Sequence, residues 1–383
     1  MQVVVQGWLM FQLTGSAFSM GLVNFLAVIP VVVIAPLAGA IVDKTSARFM
    51  LVTTSILGIL QASLFYGAFV SGHLSPAGIC GMALAWGIIN GLETPARFVC
   101  IKEIVDSDPS LVPSAMALNG TLVGLGFILG PSVGGIVVAH WGVGMAFFLN
   151  AISFIPMLIF IIKVIKPKAR ARGGAISVSG IIKDVIDGFR LCVSDGAIRP
   201  LILLLGAATF FGFSYRGMLP AVAEYLHLGP VGFGWLSAAP GIGTLVAAAV
   251  VSRSTQALPV RRFLLLGISS LAGTLVTFFF LRNFVAGMVL LGIAGFGLDL
   301  VVLTVQSATS IITKQSNPVM IGRVMGCGAS IFFMGSAFGY LALGSVSKVI
   351  GVFPAMGCFG MVLLILAVIV AVRNKRYPAF VKG

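Results

Sequence analysis

The sequence predicts an all-α integral membrane protein of twelve helices in two six-helix halves, with the first helix truncated. Of its 383 residues, 59% are hydrophobic and 9% are charged, and the mean hydropathy is +1.12. So few charged residues cannot solvate a globule of this size in water. Apolar windows of about 20 residues recur along the chain, which is the length that crosses a hydrocarbon core of roughly 30 Å. These windows lack the alternation of barrel strands.

An internal repeat supports the two halves. Adding 209 to the positions of several glycines and of one methionine lands on the same residue type in the second half of the chain. The matched pairs are Gly126 with Gly335, Gly130 with Gly339, Gly135 with Gly344, Gly142 with Gly351, and Met116 with Met325.

The first apolar run, Val3 to Leu13, is about half as long as a membrane helix. We interpret it as the second half of helix 1, and expect an in-frame extension of roughly 15 to 30 residues, carrying at least one Lys or Arg, before Met1. The other predicted helices are 17–42, 49–71, 77–104, 114–139, 143–165, 200–222, 231–251, 263–281, 284–312, 324–347 and 351–372.

The predicted halves, 1–162 and 200–383, are joined by a basic linker, 163–199. Within the linker, apolar residues at helical spacing oppose a charged face, as in a helix that lies in the membrane interface. A surface helix that only joins the halves is the alternative. The apolar positions are Ile181, Ile182, Val185, Ile186 and Phe189, and the charged ones are Lys183, Asp184, Asp187 and Arg190.

The net charge of +14 does not indicate nucleic acid, because the basic residues alternate by loop. The predicted spans put 21 of the 24 Lys and Arg residues on one side, and Arg216, Arg282 and Lys348 at or near the other. This asymmetry predicts that both termini are cytoplasmic. The five cysteines show no Cys-x-x-Cys spacing, so we expect no metal, disulfide or cofactor. The expected partners are the lipid bilayer, a small-molecule substrate and protons, and the chain is expected to be a monomer.

Predicted helix 5 contains the run Gly126-Phe-Ile-Leu-Gly130-Pro131-Ser-Val-Gly134-Gly135. Small residues four apart let a neighbouring backbone approach closely, and a proline can kink the axis. The run resembles the antiporter signature of the major facilitator superfamily, which separates its exporters from its importers.

A second motif follows predicted helix 2, where the chain reads Gly39-Ala-Ile-Val-Asp43-Lys44-Thr-Ser-Ala-Arg48. It resembles the signature loop of the same superfamily. Gly39 permits tight helix packing, Asp43 can pair with a basic side chain or a helix N-terminus, and Lys44 and Arg48 can hold the loop at the anionic leaflet.

Further segments, including Glu93-Thr-Pro-Ala-Arg97 and Gly322-Arg323-Val324-Met325, resemble the bacterial branch that includes the enterobactin exporter and macrolide efflux permeases. That resemblance implies twelve helices, the bacterial inner membrane, and export of small amphipathic molecules driven by the proton gradient. Two departures concern proton coupling: the second-half loop around Arg253 and Arg261 carries only positive charge, and helix 4 has no Arg before Arg97.

In the superfamily, helices 1, 4, 7 and 10 line a central cavity. The resemblance therefore implies a mostly apolar, aromatic cavity, which suits amphipathic substrates; alternatively, the helix 7 aromatic residues face lipid or neighbouring helices. The implied cavity residues are Gln6, Gln12, Asn90, Glu93, Arg97, Phe210, Phe211, Phe213, Tyr215, Arg216, Asp299 and Gln306.

Two carboxylates, Glu93 and Asp299, lie deepest within the predicted spans and are the candidates for proton coupling. Arg97 is four residues after Glu93 and should form an ion pair with it. Asp299 has no basic residue within a helical turn, so we expect a raised pKa that lets it take up a proton near neutrality. Alternatively, a protonated Asp299 is hydrogen-bonded to a neighbouring backbone.

Export by alternating access is the leading functional hypothesis. An uptake permease or symporter on the same fold and a non-transporting membrane receptor are the alternatives. No clustered His, Cys or carboxylate set is present to do chemistry, so the sequence does not predict an enzyme.

We expect Asp43→Asn to slow transport severely and Lys44→Gln to slow it less. The acid is assigned a specific gate contact, whereas the base mainly attracts the anionic leaflet. Initial efflux rates at matched expression test this, and equal tolerance of the two substitutions would contradict it.

Overall fold

The computed structural model describes residues 1–105, 108–165, 178–254, 258–281, 283–316 and 320–372. Within these ranges the protein is helical and contains no β-strand. The α-helices there are α1 (Gln2–Thr14), α2 (Ala17–Lys44), α3 (Ala47–Val70), α4 (Pro76–Ile104), α5 (Val112–Val164), α6 (Val178–Ser194), α7 (Ile198–Gly212), α8 (Leu219–Tyr225), α9 (Gly229–Ser252), α10 (Val260–Thr277), α11 (Phe284–Ser316), α12 (Ile321–Ile350) and α13 (Val352–Val372). Short 3-10 turns occupy Pro109–Leu111, Ser214–Met218 and Phe278–Phe280.

The expected all-α membrane protein is confirmed. Nine segments of the described chain are long and apolar enough to cross a membrane, and one of them, Ser114–Val164, has twice the usual length. Gly142 interrupts its helical geometry with φ 82° and ψ 170°, at the predicted boundary between helices 5 and 6. Predicted helix 7 differs: α7 ends at Gly212, and a 3-10 turn leads into α8.

The 209-residue repeat has a structural counterpart. Gly351 has φ 90° and ψ 160°, nearly the conformation of Gly142. These two glycines and three others with positive φ lie in turns at one end of the bundle, here called the glycine end; the other three are Gly15, Gly72 and Gly229. The opposite end, here called the basic end, carries Arg48, Lys102, Lys163, Arg253 and Arg261.

A second matched device lies at the basic end. The Nη2 of Arg48, at the start of α3, donates to the carbonyl of Ile162 at 2.7 Å. The Nη2 of Arg261, at the start of α10, donates to the carbonyl of Ala371 at 3.1 Å. Each arginine thus binds a carbonyl in the last turn of another helix, where cations are stabilised by the helix dipole. Arg48, expected at the anionic leaflet, therefore also ties α3 to α5.

A buried polar network fixes α1 within the first half. The Nε2 of Gln2 donates to Oε1 of Gln61 in α3 at 2.9 Å, and Nδ2 of Asn150 in α5 donates to Oε1 of Gln2 at 2.7 Å. Gln61 in turn donates to the carbonyl of Met82 in α4 at 3.1 Å. Satisfied buried networks of this kind specify one arrangement of the helices that they join.

The linker helix α6 is amphipathic, as predicted, and it lies against α12. A Cβ on Gly188 would be 2.8 Å from the carbonyl oxygen of Arg323, so the two backbones touch. Nη1 of Arg323 lies 3.8 Å from Oδ2 of Asp187, and Cys192 joins Cys327 in a buried cluster. Residues 166–177 of the linker lie outside the described residues, and the division into halves stays a prediction.

The first six predicted spans meet the last six along two helix pairs, α2 with α12 and α5 with α9. These two sets of predicted spans, α1 to α5 and α7 to α13, are here called the two halves. Both pairs are closest near the glycine end. A Cβ on Gly135 would lie 2.5 Å from the carbonyl oxygen of Pro230 and 2.9 Å from Cα of Gly234. A Cβ on Gly21 would lie 3.1 Å from Cα of Gly344. At these points one backbone rests directly on another.

The α2–α12 pair separates toward the basic end. A cleft of about 420 Å³ opens between α2 and α12, with Val185 of α6 on its wall. Three glycines on it, Gly39, Gly322 and Gly326, have open space where a Cβ would be. The α5–α9 pair stays in contact further along, where Gly124 faces Leu245. The structure is therefore closed at the glycine end and parted between α2 and α12 at the basic end.

We expect Gly142→Ala to destabilise the protein by about 1–3 kcal/mol, because a side chain is strained at this φ even though no atom crowds the site. Gly120→Ala is the matched control: it is helical and equally uncrowded, so it should stabilise by up to about 1 kcal/mol. Unfolding by titration with sodium dodecyl sulfate measures both. Equal effects of the two substitutions would contradict the assignment.

Candidate functional site

A cavity of about 370 Å³ lies between the two halves, below the contacts at the glycine end. It is walled by α1, α2 and α5 on one side and by the Ser214–Met218 turn, α8, α9 and α12 on the other. Arg216 carries the only charged side chain among its described lining residues. Its other polar and aromatic lining residues are Asn24, Phe127, Phe213, Phe233, Ser237 and Tyr340.

The break in predicted helix 7 places Arg216 on this wall. The 3-10 turn runs from Ser214 to Met218, and its Gly217 lets the turn approach the neighbouring helices. A Cβ there would be 2.7 Å from Cδ1 of Tyr340 and 3.2 Å from Nδ2 of Asn24. Phe213 and Arg216 line the cavity, whereas Tyr215 is directed into the core and is only 1% exposed.

The guanidinium of Arg216 lies between two rings and one carboxylate. Its Cζ is 5.0 Å from the ring centroid of Phe213 and 5.9 Å from that of Phe127, within the range of cation–π attraction. Its Nη2 is 3.8 Å from Oδ2 of Asp299 in α11. The Nε atom is buried and has no hydrogen-bond partner among the described residues.

Asp299 is held by a second neighbour, Thr244 of α9. The Thr244 hydroxyl makes a short hydrogen bond with Oδ2 of Asp299 and lies 3.1 Å from the carbonyl of Pro240. The hydroxyl has one proton and can donate to only one of these oxygens. An ionised Asp299 accepts from Thr244, whereas a protonated Asp299 can donate to Thr244 while Thr244 donates to Pro240. Both protonation states therefore have a satisfied hydrogen-bond pattern here.

Close packing of α9 on α11 brings these groups together. A Cβ on Gly295 would lie 2.6 Å from Cα of Pro240, and Gly243 is similarly close to the backbone of Phe296. Glycine at both positions allows the two helix backbones to touch. Thr244 and Asp299, next to this contact, therefore meet without a long side chain on either helix.

The predicted Glu93–Arg97 ion pair is present, with Nη1 of Arg97 3.5 Å from Oε1 of Glu93. It lies apart from the Arg216 cavity. Arg97 lines a separate apolar groove of about 360 Å³ between α4 and α5. Asn90, one turn before Glu93, accepts a hydrogen bond from Thr94 at 3.2 Å. It is not among the residues that line the Arg216 cavity.

Several residues predicted to line the cavity lie elsewhere. The rings of Phe210 and Phe211 pack on Phe359 of α13, with centroids 6.2 and 5.1 Å away. These two aromatic residues of predicted helix 7 therefore contact a neighbouring helix, which was the alternative to lining the cavity. Four other residues predicted for the cavity also do not line it. Gln6 is buried, and its amide atoms have no partner in the described chain; Tyr215 is buried in the core. Gln12 is exposed, and Gln306 is half-buried on α11.

The break in predicted helix 7 explains why Phe213 lines the cavity and Phe210 does not. A continuous helix would put Phe210 and Phe213 on one face, but the 3-10 turn after Gly212 changes the direction of the following side chains. Sequence reasoning also missed Asn24, Phe127, Thr244, Ser237 and Tyr340. Their lone polar or aromatic side chains carry no local signal, because only the packing of distant helices gathers them.

The glycine run of α5 serves three different surfaces. A Cβ on Gly130 would lie 3.0 Å from the backbone nitrogen of Met1, and one on Gly134 would lie 3.0 Å from Cγ of Met1, so these two face α1. Gly135 faces α9, as described above. Gly126 and Pro131 line the cavity, and Gly126 has open space beyond its Cα.

The structure describes only part of the Gly39–Arg48 loop motif. Gly39 lies on the open α2–α12 cleft, and Arg48 binds Ile162. The side chains of Asp43 and Lys44 lie outside the described part of the chain.

Comparison with known proteins gives a family for the whole chain. Residues 1–380 match the family described as "Transmembrane secretion effector". Similar curated proteins are the staphyloferrin A transporter of Staphylococcus aureus, 25% identical and covering 75% of this chain and 67% of that protein; the multidrug efflux pump Tap of Mycolicibacterium fortuitum, 21% identical and covering 96% and 90%; and the enterobactin exporter EntS of Escherichia coli, 25% identical and covering 72% and 67%.

Solved structures show the same fold. The crystal structure of the nucleoside transporter NupG superposes with a TM-score of 0.69 at 14% identity, over 97% of this chain and 98% of that one. At this identity the likeness concerns the fold alone, and it agrees with the all-α membrane architecture described above.

We expect Gly135→Ala to push the two halves apart at the glycine end, because its methyl group would meet the backbone of Pro230 and Gly234, which cannot rotate away. Gly126→Ala is the matched control from the same run, with no atom within 4 Å of the added Cβ. Spin labels on Ser71→Cys and Ser345→Cys, in a background without native cysteines, report the separation.

Gly135→Ala should lengthen the distance between the labels, and Gly126→Ala should leave it unchanged. Identical distance distributions in the two variants would show that the Gly135 contact does not hold this end closed.

Proposed function

Because the chain belongs to the transmembrane secretion effector family of the major facilitator superfamily, we propose that it exports small amphipathic molecules in exchange for protons. As a member of that family it is a membrane transporter and not an enzyme. The observation that carries the proposal is the position of the Arg216–Asp299 pair, beside a cavity that lies between the two halves. Relatives named as an efflux pump and an exporter support the direction of transport.

The unequal ends of the bundle support alternating access. The glycine end is closed by backbone contacts at Gly135 and Gly344, and the basic end is parted between α2 and α12. The small residues on that cleft, Gly39 and Gly326 among them, leave room for α2 and α12 to approach. In the proposed cycle the cleft closes as the glycine end opens, and the cavity then faces the other side.

Asp299 is the proposed proton site. Its carboxyl group is half-buried, and Thr244 can serve it as donor or acceptor. Arg216 favours the ionised form, and proton uptake would weaken the attraction between the two side chains. Glu93, paired with Arg97 within its own helix, is proposed as a gating or substrate contact instead.

In the proposed orientation the protein lies in the bacterial cytoplasmic membrane with its basic end and both termini inside. Arg48, Lys102, Lys163 and Arg261 lie at that end, which fits the excess of Lys and Arg in cytoplasmic loops. The proposed functional unit is a monomer, since the cavity lies within one chain.

Uptake on the same fold is the second candidate, and one experiment separates the two directions. Cells without their own major efflux pumps receive the full chain or empty vector, and accumulation of enterobactin, erythromycin and ethidium is measured with and without an uncoupler. Export predicts lower accumulation of at least one probe, reversed by the uncoupler. Higher, uncoupler-sensitive accumulation would indicate uptake, and no gradient-dependent flux of any probe would contradict both.

We expect Asp299→Asn to reduce gradient-driven export to the vector background and to remove its pH dependence, because the amide cannot take up a proton. Asp187→Asn is the matched control: this acid lies on α6 and pairs with Arg323 of α12, away from the cavity, and its loss should leave the pH profile unchanged. Transport into inside-out vesicles at a series of pH values measures both. Gradient-driven export by Asp299→Asn with the wild-type pH profile would rule out the coupling role.

A further inference from the structure

We infer that the cavity recognises its amphipathic substrates by an anionic group, such as a carboxylate, which pairs with Arg216. The inference rests on the proposed transport function and specifies the substrate class of that same cavity.

The charge of the cavity wall favours an anionic ligand. Arg216 is the only charged side chain among the described lining residues, and its neighbours there include Phe127, Phe213 and Phe233. Apolar surroundings strengthen the field of a cation, because the effective dielectric constant is far below that of water. A ligand anion is therefore attracted, and a ligand cation is repelled.

Arg216 has hydrogen-bond donors that no described residue engages closely. A guanidinium carries five N–H donors in a planar fork that matches a carboxylate in bidentate geometry. Here the pair with Asp299 spans 3.8 Å from Nη2 to Oδ2, longer than the roughly 2.7–2.9 Å of a charge-assisted hydrogen bond. The Nε atom has no partner in the described chain. A carboxylate in the cavity would supply acceptors for the guanidinium donors that face the cavity and that Asp299 does not engage.

Asp299 lies behind the arginine, on the side away from the cavity. Asp299 is not among the cavity-lining residues, and its Oδ2 is engaged by Thr244. It is therefore poorly placed to receive a cationic ligand. A ligand anion on Arg216 would instead compete with Asp299 for the same guanidinium, so loss of the Asp299 charge should strengthen anion binding.

The rings around Arg216 fit the apolar part of such a ligand. Phe127 comes from α5 and Phe213 from the end of α7, so one ligand would contact both halves of the protein. The cavity volume of about 370 Å³ falls within the roughly 300–1,000 Å³ of small-molecule sites. An aromatic or aliphatic body beside an anionic head would fill it.

The test uses two ligands that differ only in charge. Dansyl-phenylalanine carries a carboxylate, and dansyl-phenylalaninamide has the same body without the charge. Binding of each to the purified full chain in nanodiscs is followed by dansyl fluorescence. We expect the carboxylate to bind about tenfold more tightly or better, as one charge-assisted interaction implies.

Four variants identify the group responsible. Arg216→Gln should bind the amide as the wild type does, which shows an intact cavity, and should lose the preference for the carboxylate. Arg216→Lys should retain part of the preference, and Asp299→Asn should increase it. Lys348→Gln is the matched control, because it removes one positive charge from an exposed residue at the glycine end.

Equal binding of the two ligands, tighter binding of the amide, no binding of the carboxylate, or a preference that survives Arg216→Gln would overturn the inference. These outcomes are separate from a failure of the proposed function. Uncoupler-sensitive export of ethidium without carboxylate selectivity would leave the exporter in place and remove the anion site. Carboxylate selectivity without export would keep the site and remove the exporter.

Discussion

The structure depends on the direct contact of helix backbones at glycine. In lipid, apolar side chains gain little by leaving the hydrocarbon, so helices associate through close packing of small residues. Gly135 against Gly234 and Gly21 against Gly344 let the two halves meet at the glycine end. A methyl group at such a point overpacks the contact, at a cost of about 1–3 kcal/mol. The cavity and the Arg216–Asp299 pair lie just below this closure.

The repeat gives both halves the same frame but not the same chemistry. Gly130 packs on α1, and its counterpart Gly339 packs on the backbone of α7; Gly135 and Gly344 each contact a helix of the other half. The same offset of 209 relates Asp299 to Asn90, which cannot carry a charge. At this matched position the ionisable group is therefore present in the second half only, and the two halves have separate tasks in the proposed cycle.

Local patterns could be predicted from the sequence, and contacts between distant helices could not. Hydropathy gave the spans, and a spacing of four gave the Glu93–Arg97 pair, because both signals lie within one helix. Arg216 and Asp299 are 83 positions apart on different elements. Asp299 has no basic residue within a helical turn of α11, as expected, but the fold brings Arg216 to it from another element. The break after Gly212 was missed although Gly212, Gly217 and Pro220 lie beside it, because glycine and proline are also common inside membrane helices that stay continuous.

The turn that carries Arg216 connects the cavity to the closed end. Gly217, the next residue, lies against the ring of Tyr340, and the backbone carbonyl of Tyr340 faces Gly21 of α2. A ligand that draws Arg216 away from Asp299 acts on this same turn, and tight packing leaves the turn little room to move alone. In the proposed cycle this movement would reach the α2–α12 contact through Tyr340. Substrate binding and opening of the glycine end would then be linked through one short series of contacts, as an exporter requires if it is to open outward only when it is loaded.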